Sequence, residues 1–119
     1  MREIKFRQPL FKPNGEFFKF HYWGDTNGGF ISPVAGNLGR NSQEYTGRKD
    51  KAGNDVYEGD FIKEGGRIST VRFSKSYARF ELETPTGRAG LYGFYGGIVG
   101  NVYENVVCTG GIEVKHIHK

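Results

Sequence analysis

Apolar and polar side chains alternate from the start of the chain. Over residues 2–8, Ile4 and Phe6 stand on one side, and Glu3, Lys5 and Arg7 on the other. This period of two predicts a half-buried strand. Pro9 ends the strand or places it at a sheet edge, because proline cannot donate to a ladder. Lys12-Pro-Asn-Gly15 is a turn signal, with Gly15 free to take a positive φ. Phe18, Phe20 and Tyr22 then alternate with Phe17, Lys19 and His21, so a hairpin is predicted over residues 2–23. Periodicity lapses over residues 24–43, apart from a short Phe30-Ile31. A loop of this length in a compact domain is usually functional, mobile or an interface arm. With Phe30, Ile31, Val34 and Leu38, this one is too apolar to hang in solvent.

Residues 44–62 read as two short extended pieces around the polar turn Asp50-Lys-Ala-Gly53-Asn54, with a bulge at Gly59. Gly65-Gly66 makes another turn. Residues 67–73 and 77–84 form the next hairpin, with Ala78, Phe80 and Leu82 facing in and Tyr77, Arg79, Glu81 and Glu83 facing out. Pro85-Thr-Gly87 is a third turn. Residues 88–103 are glycine-rich but carry strand-type side chains, with room for one helical turn over 88–97. A last strand runs from Ile112 to His118. About seven or eight short strands result, with turns at roughly the 8–12-residue spacing of barrels and sandwiches. The fold class is therefore all-β or nearly so: a compact, strongly bent antiparallel sheet or small barrel. It holds at most a short helical turn, in a single domain over residues 1–119.

Composition sharpens this. Only 36% of the residues are hydrophobic, and 10 Phe and 7 Tyr supply much of that share; each buried aromatic removes a large area from water, so a core can be built from few side chains. The 19 glycines suit turns and bulges and disfavour long helices. The net charge of +4 is spread unevenly, and residues 41–64 are acidic, with 4 basic and 6 acidic side chains. No basic arm or tail of the nucleic-acid-binding kind stands out. The one cysteine, Cys108, rules out an intramolecular disulfide and reads as a buried, inert thiol on a strand. No signal-peptide core and no run of about 20 apolar residues is present, so a cytoplasmic protein without membrane contact is expected.

Three segments carry a resemblance. They are Met1-Arg-Glu-Ile-Lys-Phe-Arg7, the stretch from Gln43 to Ile62, and the stretch from Val99 to Val107. Together, in this order, they resemble the YopX-like family, small proteins of phages and prophages. Arg48 departs from that pattern, where an aliphatic residue is common, as does Gln8-Pro-Leu10 in place of a tryptophan-containing stretch. The resemblance implies an accessory protein that self-associates, and it brings no catalytic residues. The residues that carry it are Tyr45, Thr46, Gly47, Asp50, Gly53, Tyr57, Glu58, Gly59 and Asp60, then Gly100, Asn101, Tyr103, Glu104 and Asn105. Each has a structural reading. Gly59 permits a bend, Asp60 caps the turn by accepting backbone N–H bonds, and Tyr57 packs. Gly100 and the two asparagines suggest a strand ending in a turn.

Chemistry finds little purchase. The acidic stretch from Asp50 to Asp60 fails the calcium-loop spacing and reads as a solvated acidic turn. Glu58 and Glu104 are the one carboxylate pair that a glycosidase-like reading would use. His116 and His118, with His21, are the zinc candidates, but a terminal His-x-His more often marks an exposed strand end. Gly93 to Gly100 lacks the Gly-Lys-Ser/Thr ending of a phosphate loop. No catalytic, cofactor or metal residue is assigned, no small-molecule substrate is identified, and an enzyme is not expected. Tyrosines and arginines do interleave, as on single-strand-binding barrels, and Arg72, Tyr77, Arg79 and Arg88 are the candidate nucleic-acid contacts. The expectation is a homo-oligomeric accessory protein that acts by binding, with weak nucleic-acid binding as the alternative.

Overall fold

The computed structural model describes residues 3–26, 29–34, 41–84, 86–91, 96–108 and 111–114. All regular structure among them is β. The first hairpin forms as the alternation predicts, from Lys5–Phe11 (β1) and Phe17–Thr26 (β2) around the Lys12–Glu16 turn. Gly29–Ile31 (β3) pairs back onto the end of β2, so the supposed loop 24–43 holds a short strand at the Phe30-Ile31 exception. Gln43–Lys49 (β4), Asp55–Tyr57 (β5) and Asp60–Glu64 (β6) follow, then the hairpin of Arg67–Ser74 (β7) and Arg79–Thr84 (β8). Gly87–Gly90 (β9), Gly97–Asn101 (β10), Asn105–Cys108 (β11) and Gly111–Val114 (β12) complete the order. Among the described residues the expected seven or eight strands are twelve, because glycine-rich stretches split into pieces of three to five residues.

Two five-stranded antiparallel sheets result, ordered β3-β2-β1-β4-β5 and β10-β6-β7-β8-β9, with β11 and β12 as a separate ribbon. Neither sheet closes on itself, so the bent sheet and not the barrel is the form found. Val56, Ile62, Val71, Leu82 and Leu91 make an aliphatic core, with Phe80 and Ile98 against it. Aromatic rings make a second cluster. Tyr103 stacks on Phe17 with centroids 5.9 Å apart and meets Phe11 and Phe20 edge-on.

Three orientations differ from the alternation. On β1 both sides are covered: Arg7 on the polar side is buried, as is Gln8 on the side of Phe6, whereas Ile4 is exposed. Alternation says which residues share a face, not which face is covered. Pro9 does not end β1, and although β1 lies inside the sheet order, its β4 side is unpaired at Pro9, a local edge. Pro9 is fully buried and pairs with Phe20, and it is tolerated because β4 pairs only with Phe6 and Arg7. On β8, Glu81 is buried instead of exposed, held by Arg79 and Arg88. Ala78 is exposed in the β7–β8 turn with φ of 52°, not packed inward.

Candidate functional site

The two large sheets meet at the β5–β6 turn. Gly59 there has φ of 90°, which only glycine adopts without strain, and a β-carbon would stand 2.1 Å from Gln43 Nε2. Its N–H donates to Val71 O on β7, and its carbonyl accepts from Val102 N–H beyond β10. Asp60 caps the turn as expected, its carboxylate accepting the Tyr57 N–H at 2.8 Å. Tyr57 packs as expected, buried against Tyr45 and Tyr22.

Arg7 is the residue that sequence reasoning missed. Its guanidinium meets the Asp60 carboxylate at 2.8 Å, donates to Gln43 Oε1 at 2.8 Å and to Glu58 O at 3.2 Å, and lies against the rings of Phe20 and Tyr57. One side chain thus ties β1, β4, the β5–β6 turn and β6 together. Burial raises the Asp60 carboxyl above its ordinary pKa, against the pull of Arg7. Burial also pushes the Tyr57 hydroxyl up to about 12 and raises Glu58.

A cleft of about 540 Å³ opens beside this pair. Lys5, Arg7, Tyr22, Tyr57, Asp60 and Glu104 are among its walls. Residues from all three segments of the resemblance therefore reach one place. Lys5 bonds Asp55 and Glu3, which outweigh burial and raise its pKa. Glu104 lines the cleft, whereas Glu58 does not, so the suggested carboxylate pair does not share it.

The other family-like residues hold turns. Thr46 donates to Val56 O. Gly47 and Gly53 have positive φ. Asn101 accepts the N–H groups of Tyr103 and Glu104, and Asn105 accepts that of Asn101 over the close-packed Gly100. Asp50 is a correction: it is buried rather than solvated, and accepts N–H bonds from Ala52, Asn54 and Ile98. Those bonds outweigh the effect of burial and lower its pKa.

The nucleic-acid candidates lie on the second sheet, Tyr77 in its β7–β8 turn. Arg72 pairs with Glu83, Arg79 with Glu81, and Arg88 with both glutamates. Tyr77 is 72% exposed, with the Arg79 guanidinium over its ring. His21 bonds Ser32 O. His116 and His118 lie outside the described residues, as does the Cys108 side chain.

The polypeptide of residues 29–34 forms a strap, β3 pairing with the end of β2 and Val34 reaching Gln8 on β1. The Gln8 amide bonds both the N–H and the carbonyl of Val34, and His21 holds Ser32. Its apolar side chains stay out: Phe30 is 66%, Ile31 43% and Val34 39% exposed.

A family model described as YopX protein matches residues 23–107. That span takes in the second and third of the three segments and leaves the first outside. No curated protein matches the chain.

Proposed function

Given that the chain belongs to the YopX protein family, we propose that it is a binding protein, not an enzyme, and works as a homo-oligomer through the strap at residues 29–34. The observation behind this reading is the strap's division of labour. Its main chain is fastened to its own sheet by Gln8 and His21, while Phe30, Ile31 and Val34 face solvent. A segment already ordered loses less entropy on association, so its apolar side chains yield more net affinity. β3 is also the edge of its sheet, a place where a further strand can add. The phage accessory role implied by the resemblance fits a small protein that acts by contact.

Hydrogen exchange at two protein concentrations tests the reading. Amides of Gly29, Phe30 and Ile31 should gain protection as concentration rises, while those of β7 stay constant. Protection of the strap that does not change with concentration would contradict it.

A further inference from the structure

A second cleft, of about 470 Å³, lies between the β4–β5 turn and the β6–β10 pair. It owes nothing to the strap. The buried Asp50 carboxylate fixes the turn by gathering the N–H groups of Ala52 and Asn54, and it anchors the turn to β10 through Ile98 N–H. Lys51 is set in place as a result. Its N–H donates to Gly96 O at 3.3 Å, and its side chain crosses Gly97, Cε lying 3.6 Å from where a β-carbon would stand.

Gly97 is the cross-strand partner of Lys63. Directly opposed residues in an antiparallel pair share a face, with β-carbons about 5 Å apart. Lys51 and Lys63 therefore share the face at Gly97, where Asp50 Oδ2 also lies 4.0 Å from where a β-carbon would stand, and both lysines line the cleft. Among the described residues, neither has a carboxylate within ion-pair distance. Asp50 also lines the cleft, but its oxygens are engaged by three N–H groups and the Asn54 amide. Two lysines on the walls of one concave site raise the potential there for an anion.

We propose that this cleft binds a phosphate group between the ammonium groups of Lys51 and Lys63, over Gly97. Lysine suits phosphate as a compact charge with three donors. The phosphate comes either from a small free anion or from the backbone of a nucleic-acid strand, and two probes separate these. Inorganic pyrophosphate is titrated by calorimetry and a fluorescent short oligothymidylate by anisotropy, both at low salt. Saturable binding is expected for at least one, weakening as salt rises. Binding of pyrophosphate alone identifies a free anion; binding of the oligonucleotide identifies a strand.

The double variant Lys51→Gln/Lys63→Gln should lose about tenfold or more in affinity, whereas Lys19→Gln/Lys75→Gln should bind like the parent. Gly97→Ala keeps both lysines and meets only ordinary contacts, so it should fold normally and yet bind more weakly. The proposal is overturned if neither probe binds saturably. It is overturned equally if the two double variants bind alike.

Discussion

The Gln8 side chain reads the Val34 backbone from both sides, its Oε1 accepting the Val34 N–H at 2.8 Å and its Nε2 donating to the carbonyl at 3.2 Å. A fully buried amide thus does for the strap what a neighbouring strand would do. Gln8→Leu keeps the volume but leaves both Val34 groups unpaired. The expected loss is about 1–3 kcal/mol, the cost of stranded polar groups. Urea denaturation measures it, and the Val34 amide should exchange faster in the variant.

Arg7 and Asp60 form a buried ion pair between the two sheets. Asp60→Asn leaves the guanidinium without its counter-charge. Removing one partner of such a pair costs about 3–5 kcal/mol. Arg7→Lys should not rescue stability, since an ammonium cannot also reach Gln43 and lie flat on Phe20. Denaturation midpoints of the two variants check both statements.

Gly59→Val should lose about 1–3 kcal/mol from backbone strain. It should also displace Gln43, which stands in the way of any β-carbon there. Because Gln43 accepts from Arg7, the losses of Gly59→Val and Arg7→Ala should not add. A double-mutant cycle with additive energies would show that the turn and the ion pair are independent.

Much of this fold is legible in the sequence, and its errors share a cause. The first hairpin, the Gly59 bend and the Asp60 cap follow from local chemistry within a few residues. The burial of Arg7 and Glu81 does not. Arg7 is covered because Asp60, Gln43 and Tyr57 arrive from later strands, and Glu81 because Arg88 comes from β9. Alternation fixes pairs of faces, and only tertiary packing chooses between them. The β3 strand was visible only as a two-residue exception, Phe30-Ile31, because glycines hide so short a strand.

Asp50 has a lowered pKa, since its backbone bonds favour the charged form despite burial. A carboxyl lowered by folding contributes its stability in full above the ordinary value of 3.8 and loses it as pH falls through the lower folded value. Asp50→Asn has no such proton to take up. The stability gap between parent and variant should be constant at neutral pH and narrow in acid below about 4. Thermal melts across that range measure it, and a gap that widens in acid would reverse the sign.

Light scattering coupled to gel filtration bears most directly on the central claim that the strap joins copies of this chain. The parent should show a mass of several chains at high protein concentration. The pair of substitutions Phe30→Asp and Ile31→Asp should give a single-chain mass with an unchanged melting temperature, because both side chains are exposed. A parent mass of one chain at every concentration, or an oligomer that survives both aspartates, would contradict the account.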